Sequence, residues 1–174
     1  MEEKNVSNWY AIKTRMDFRA EEALRPYCDE VFFPKREIPG GKTKKKYRAA
    51  IPHVLFIRTS RLQALRLEVS GRTEPGAIPL WIYRYPKSDE PQVITRESID
   101  LLRMLTADDT SGCRIYSVKE FKPGQRVRVK DGMFKGYEGT VQRIAKNRHV
   151  VVNLQGLCLV ILPFIHPDLL ESIG

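Results

Sequence analysis

The chain has 174 residues, of which 42% are hydrophobic and 29% charged, values that are ordinary for a globular protein with a buried core. No apolar run approaches the roughly 20 residues that a membrane helix requires, and the polar first eight residues indicate no signal peptide. We therefore expect a cytoplasmic protein that does not contact a membrane. The net charge of +9 favours a polyanionic partner such as a nucleic acid. Three widely separated cysteines predict reduced thiols without a metal site.

The first fifty residues alternate between strand and helix patterns. Residues 9–12 predict a buried strand, and Asp17 is expected to cap a helix that Pro26 kinks or ends. Residues 31–34 predict a second strand. The stretch 35–48 is basic and interrupted by glycines, which indicates a hairpin with a solvated tip. The apolar face predicted for the helix contains Ala20, Ala23, Leu24, Tyr27 and Cys28.

The hairpin contains Gly-Lys-Thr at residues 41–43, which invites comparison with a phosphate-binding loop. Such a loop requires a glycine five residues before Gly41, where this chain has Arg36. The sequence therefore predicts no nucleotide site and no cofactor.

Residues 49–113 continue the alternation and then change character. Strands are predicted at 49–59 and 80–85, and helices at 60–69 and from Thr95 or Arg96 onward. The polar, small residues 107–113 are typical of a linker. The side chains expected to be buried are Leu62, Leu65 and Val69 on the first helix, Trp81, Tyr83 and Tyr85 on the strand, and Ile99, Leu102 and Leu105 on the last helix.

Only strand patterns follow the linker, which divides the chain into two predicted domains. The first, 1–106, is an α+β domain in which helices flank an antiparallel sheet. Residues 107–118 form the linker, and 119–174 form a small all-β barrel.

The window from Asp131 to Val141 places three glycines around two aromatic residues between two strands. Glycine is favoured where the backbone needs a positive φ or a close approach, so the window predicts a tight, structured loop. It resembles the KOW motif of small SH3-like barrels in transcription and ribosomal proteins. The residues assigned to this loop are Gly132, Phe134, Lys135, Gly136, Tyr137 and Gly139.

The order of elements along the whole chain resembles the NusG family of transcription elongation factors. Trp9-Tyr10 matches the opening strand of that family, and Ile-Pro-His-Val-Leu-Phe-Ile at 51–57 is similar to its Pro-Gly-Tyr-Leu-Phe-Val segment. Residues 121–141 match its KOW motif. The resemblance implies an NGN-like domain followed by a KOW domain, in a protein that acts without catalytic residues.

The resemblance also implies where partners bind. The NGN-like domain is expected to contact the clamp helices of RNA polymerase through Ile51, Val54 and Phe56, with Trp9 nearby. Residues 54–57 are apolar on both faces of their strand, which agrees with a partner on the second face. A strand buried on both sides by the chain itself is the alternative.

Basic residues in the first domain are expected to contact DNA or nascent RNA in the elongation complex. Phosphate contacts by such residues supply affinity and register, whereas stacking by Tyr83 or Tyr85 would add base contacts. The predicted nucleic-acid residues are Lys13, Arg15 and Arg19 after the first strand, and Lys42, Lys44, Lys45 and Lys46 at the hairpin tip.

Two departures distinguish the chain from the general factor of the family. That factor carries a Phe-Gly-Arg segment used with the termination factor Rho, where this chain has Asn-Leu-Gln-Gly-Leu at 153–157. Residues 83–87 and 91–94 resemble the UpxY-like paralogues, which antiterminate long surface-polysaccharide operons. The β-branched runs at 150–152 and 159–162 favour a stable barrel over the all-helical state of RfaH-like members, and the family precedent for its partner is the ribosomal protein NusE.

The favoured hypothesis is thus a monomeric, specialised elongation or antitermination factor. The alternatives are a general housekeeping NusG and a ribosome-associated protein that binds RNA through the KOW barrel. An enzyme is not favoured, because His53, His149 and His166 are scattered and none is paired with a nucleophile, a carboxylate or a cysteine at a useful spacing.

Overall fold

The computed structural model describes residues 6–38, 46–107, 114–116, 124–144 and 146–174. The chain divides into two compact units, Met1–Thr106 and Ala107–Gly174. Over the described residues, no helix is long and apolar enough to cross a membrane.

The first unit is built on a five-stranded antiparallel sheet with strand order β2-β5-β1-β6, in which β7 also pairs with β1. Strands β3 and β4 form a separate two-stranded ribbon. The elements in chain order are β1 (Ser7–Lys13), α1 (Asp17–Leu24), β2 (Glu30–Phe32), β3 (Lys35–Ile38), β4 (Lys46–Ala49), β5 (Val54–Ser60), α2 (Arg61–Thr73), β6 (Trp81–Ile82), β7 (Val93–Ile94) and α3 (Arg96–Ala107).

The two central strands, β1 and β5, are buried on both faces. Tyr10 lies opposite Ile57, and this face packs with residues of α1 and α2 in one core. Ala11 lies opposite Phe56 on the other face. Because successive side chains of a strand point to opposite faces, an apolar run such as 54–57 fills both layers.

Helix α2 begins where the sequence predicts, but its predicted buried face is wrong. The Ser60 hydroxyl accepts a hydrogen bond from the Gln63 N–H at 3.1 Å and caps the helix. Leu62 and Val69 are 48% and 52% exposed, and Leu65 is half-buried. The buried side of the helix carries Ala64, Glu68 and Gly71 instead.

Close backbone packing explains this choice of face. A Cβ atom added at Gly71 would lie 2.5 Å from the Ile78 carbonyl oxygen, so a larger side chain does not fit there. Small residues therefore decide which side of α2 faces the sheet, and apolarity alone does not.

Helix α1 also differs from its prediction in detail. Its N-cap is Met16, without a side-chain cap, so Asp17 does not cap it. The Asp17 carboxylate instead accepts hydrogen bonds from the Phe18 N–H at 2.9 Å and from the His53 N–H at 3.2 Å. The helix ends at Leu24 and continues as a 3₁₀ turn through Pro26, as Pro26 predicts. Of the predicted apolar face, Ala20 and Leu24 are buried, Cys28 is half-buried, and Ala23 and Tyr27 are exposed.

The predicted aromatic core row at 81–85 is wrong. The regular strand comprises only Trp81–Ile82, and it is Ile82 that is buried. Trp81 is 48% exposed and Tyr85 40%. By contrast, the buried side chains predicted for α3 are confirmed, since Ile99, Leu102 and Leu105 are each at most 1% exposed.

The second unit is a six-stranded antiparallel sheet with strand order β13-β9-β10-β11-β12-β8. The predicted fold class, an α+β region followed by an all-β region, is confirmed. Its strands are β8 (Arg114–Tyr116), β9 (Arg126–Val129), β10 (Glu138–Ile144), β11 (Asn147–Leu154), β12 (Cys158–Ile161) and β13 (Leu170–Ser172). Strand β8 lies within the predicted linker 107–118, yet it pairs with β12. The predicted domain limits otherwise stay a prediction.

Candidate functional site

The residues predicted to contact polymerase lie together on the second face of the first-unit sheet or at its margin. They are buried: Trp9 is 9% exposed, Ile51 8%, Val54 3% and Phe56 0%. The Phe56 ring stacks on Phe32 with centroids 6.1 Å apart. Their role as a docking site stays a prediction.

Helix α3 lies against this face. The Arg103 guanidinium is 4.7 Å from the centroid of the Phe32 ring and 5.7 Å from that of Trp9, distances at which a cation is attracted to an aromatic face. Helix α3 therefore covers part of the second face of the sheet, which the sequence predicted to bind a partner.

A cavity of about 590 Å³ remains beside Trp9. Within its lining, the Glu30 carboxylate pairs with Arg103 at 2.5 Å and with Arg58 at 3.5 Å. Arg96 and Asp100 are exposed at its border. We call this the Trp9 cavity; it is lined by Trp9, Glu30, Arg58, Arg96, Ile99, Asp100 and Arg103.

Two of the three basic residues predicted to follow the first strand share a second cavity, of about 620 Å³. Lys13 and Arg15 line it together with Thr14, Met16, Pro79 and Trp81, whereas Arg19, on α1, does not. Trp81 lies opposite Lys13 in the pairing of β6 with β1. We call this the Trp81 cavity. The signal that could have found Trp81 is the alternation of buried Leu80 and Ile82 around it.

A buried carboxylate fixes the strand that carries Trp81. Glu68 accepts hydrogen bonds from the Ile82 N–H at 2.7 Å and from both terminal nitrogens of Arg84, at 3.0 and 2.6 Å. Burial raises the pKa of Glu68, but the hydrogen bonds from Arg84 and Ile82 outweigh it and hold the pKa below its usual range. Glu68, which the sequence patterns did not single out, therefore holds β6 in place.

The β3–β4 ribbon has one anchored face and one basic face. Lys35 pairs with Glu21 at 2.7 Å and lies 5.6 Å from the Tyr47 ring centroid, which ties the ribbon to α1. On the other face Arg36 lies directly opposite Arg48, and Lys46 is exposed. Lys42, Lys44 and Lys45 lie outside the described residues.

The loop between β9 and β10 has the tight form that its glycines predict. Gly132 and Gly136 both have φ of 91°, and the Gly136 N–H bonds to the Val129 carbonyl at 2.9 Å. Phe134 is buried, whereas Lys135 is exposed and Tyr137 half-buried. A Cβ on Gly139 would lie 2.4 Å from the Val151 carbonyl oxygen, so β10 and β11 approach closely there. Any binding role of this loop stays a prediction.

The predicted stacking residues and the cysteines are less open to a ligand. Tyr83 is half-buried, and the Tyr85 hydroxyl accepts a hydrogen bond from the Val93 N–H at 3.2 Å. Burial, with the nearby Asp29 charge, raises the pKa of Cys28 to about 11, and burial raises that of Cys158 to about 12. Both thiols are therefore poor nucleophiles at neutral pH. Within the described ranges, no cluster of His, Cys, Asp and Glu could hold a metal ion.

Comparisons with known proteins identify distant similarities to this chain. No protein-family model matches the chain. The transcription termination/antitermination protein NusG of Borreliella burgdorferi is 22% identical over 154 residues, which cover 80% of this chain and 84% of that protein. The structure of Thermotoga maritima NusG is 18% identical with a TM-score of 0.49, covering 97% of this chain and 98% of that one. The MjSpt4:Spt5 complex is 13% identical with a TM-score of 0.33, covering 95% and 97%.

The fold defines the class of protein, an α+β unit followed by an all-β unit. The similarity to the Borreliella burgdorferi protein indicates which family within that class the chain resembles. Its match extends over four-fifths of the chain, in agreement with the two motifs that the sequence shares with this family. The chain is similar in sequence to a NusG-family protein.

Proposed function

We propose that this protein is a transcription elongation and antitermination factor that binds the clamp helices of RNA polymerase at the Trp9 cavity. The observation that carries the proposal is an indentation of about 590 Å³ over the apolar face of the sheet, bordered by charges of both signs. The name of the Borreliella burgdorferi relative, a termination/antitermination protein, agrees with it.

The cavity suits the side of a helix. Trp9 and Ile99 supply an apolar floor, and the rim carries three arginines and two carboxylates. An amphipathic helix that docks in a groove places a few apolar side chains on such a floor and pairs its polar side chains with such a rim. Ile51, Val54 and Phe56 do not line the cavity and are each at most 8% exposed, so they would support this face of the sheet from within the core.

The Trp81 cavity is proposed to hold a nucleic acid strand. Lys13 and Arg15 would neutralise phosphates, and the exposed ring of Trp81 would stack on a base. Tyr83 and Tyr85, proposed for stacking from the sequence, are less suited to it, because one is half-buried and the other accepts a hydrogen bond through its hydroxyl.

The second unit is proposed to bind NusE and not Rho. At the position of the family's Phe-Gly-Arg, the Gly156 N–H bonds to the Asn153 side chain at 2.8 Å, which closes a tight turn without an aromatic residue. The absence of Phe-Gly-Arg agrees with a specialised, UpxY-like role on long surface-polysaccharide operons. We further propose that the protein acts in the cytoplasm and as a monomer. Should the protein instead stimulate Rho-dependent termination in a purified assay, the housekeeping alternative is correct.

Binding to purified core RNA polymerase tests the proposal. A charge placed on fully buried Phe56 would disturb folding, so the substitutions belong at the border of the cavity. We expect Arg96→Trp and Asp100→Trp each to obstruct the cavity and weaken binding about tenfold or more, since a helix in a groove needs shape complementarity. The matched control is Arg66→Trp, on an exposed position of α2.

The parent and all three variants should melt alike, because the substituted side chains are exposed. Unchanged polymerase affinity of both cavity variants would show that the Trp9 cavity is not the docking site. A ribosome-associated function predicts instead that the protein sediments with ribosomes and does not bind core polymerase.

A further inference from the structure

We propose that the tip of the β10–β11 hairpin in the second unit is a binding site for the phosphate backbone of a nucleic acid. The cluster consists of Arg143, Lys146 and Arg148, all of which are exposed. We call it the β10–β11 tip. The inference is independent of the polymerase contact and of the nucleic-acid residues in the first unit.

Strand register brings two of these cations together. Arg143 lies directly opposite Arg148 in the antiparallel pairing of β10 with β11, so their Cβ atoms are about 5 Å apart. Like charges in directly opposite positions destabilise a strand pair. Lys146 lies two residues before Arg148 and adds a third positive charge at the same end of the hairpin.

The carboxylates described in the second unit are engaged elsewhere. Glu138 pairs with Arg128 at 2.6 Å, and Glu171 pairs with the same arginine at 3.1 Å. Asp131 accepts a hydrogen bond from the Gly132 N–H at 2.8 Å, and Asp168 lies 3.5 Å from the His166 ring. Among the described residues, no carboxylate forms an ion pair with any of the three cations.

Distance prevents compensation from the other end of the strand. Glu138 and Arg143 are both on β10, and five residues of extended strand span roughly 17 Å. That exceeds the screening length of about 8 Å at physiological ionic strength. The three cations therefore act as a local positive charge that a polyanion would neutralise.

The chemistry of the cluster favours backbone contacts without base recognition. Its members are two guanidinium groups and one ammonium group, which bind phosphate oxygens, and it includes no aromatic side chain that could stack on a base. Affinity should therefore be insensitive to sequence and steeply dependent on salt. Single-stranded RNA and duplex DNA both present this backbone, and the experiment separates them.

The test uses the full chain with Arg143→Gln, Lys146→Gln and Arg148→Gln combined. Its binding to a labelled single-stranded RNA and to a labelled DNA duplex is measured by fluorescence anisotropy over a series of salt concentrations. Loss of three phosphate contacts should reduce the slope of log affinity against log salt by about 2 for RNA, or by about 2.7 for duplex DNA. The probe whose salt slope falls by its expected amount is the nucleic acid that the β10–β11 tip binds.

Two controls separate the site from a general effect of charge. Arg66→Gln, Arg72→Gln and Lys87→Gln combined remove the same charge from exposed positions of the first unit and should change the slope far less. Arg143→Lys with Arg148→Lys retains the charge and should retain the slope. The proposal is overturned if the glutamine variant binds both probes with the parental slope, or if the first-unit control reduces the slope equally. Polymerase binding by the glutamine variant should equal that of the parent.

Discussion

The Trp81 cavity and the β10–β11 tip are both basic surfaces, yet they are built differently. In the first, Lys13 and Arg15 adjoin a half-exposed indole ring in a cavity of about 620 Å³. In the second, two arginines face each other across a strand pair. The first therefore offers a surface for a base as well as charge, and the second offers charge alone.

The two surfaces also depend on different supports. Trp81 is on a two-residue strand that the buried carboxylate of Glu68 holds through Ile82 and Arg84. The β10–β11 tip extends from a pairing of longer strands within a six-stranded sheet. The comparison indicates that one buried residue should control the first surface, whereas the second should be insensitive to any single ion pair.

The largest expected effect concerns Glu68. Glu68→Ala removes the buried partner of an ion pair and leaves the Arg84 charge and the Ile82 N–H without their carboxylate acceptor, which should lower the free energy of unfolding by about 3 kcal/mol. Chemical denaturation measures this directly. Glu74→Ala, an exposed carboxylate just after α2, is the control and should change stability by less than about 0.5 kcal/mol. Equal stability of the two variants would contradict the role assigned to Glu68.

The same residue predicts a pH dependence. Because its pKa is lowered in the folded state, ionised Glu68 stabilises the fold at pH values above its unfolded pKa of about 4.3. That stabilisation is lost as the pH falls through the folded pKa. The stability difference between the parent and Glu68→Gln should therefore be constant from about pH 6 upward and shrink below about pH 4. A difference that grows toward acid pH would be inconsistent with this sign.

The next effect separates stacking from charge. Trp81→Ala should weaken binding of single-stranded DNA about tenfold, within the roughly 1–3 kcal/mol that base stacking on an aromatic ring contributes. The salt dependence should not change, because no cation is removed. Tyr27→Ala, which removes an aromatic side chain that is 59% exposed elsewhere in the first unit, should bind as the parent does. A shallower salt dependence in Trp81→Ala would mean that the ring acts by positioning Lys13 or Arg15.

The smallest effect concerns the basic face of the β3–β4 ribbon. Lys46→Gln with Arg48→Gln should reduce the salt slope for single strands by about 1.4, from two phosphates at about 0.7 each. The matched change on the anchored face is Glu37→Gln, which should leave the slope as it is. If the double variant retains the parental slope, this ribbon face does not contact phosphate, and the β10–β11 tip differs from it in function despite the shared arginine pairs.

Particular elements show which features of the fold can be predicted from sequence patterns. The buried face of α3, the end of α1 just before Pro26 and the tight glycine loop follow from local rules, and each is present. The buried face of α2 could not be predicted this way, because the close approach at Gly71 and the ion pair of Glu68 depend on residues 78–84. The exposed position of Trp81 likewise depends on which face of β6 the rest of the first unit leaves uncovered.

The sequence by itself determined the fold class, the order of the three helices and most of the strands, and the family resemblance, because these depend on periodicity, turn residues and motifs that lie close together in the chain. Only the tertiary structure decided which cations gather at a surface. Arg143 and Arg148 meet through strand register, and Lys13 and Trp81 through a pairing between strands about seventy residues apart. Local patterns do not encode such pairings, whereas packing of the sheet fixes them.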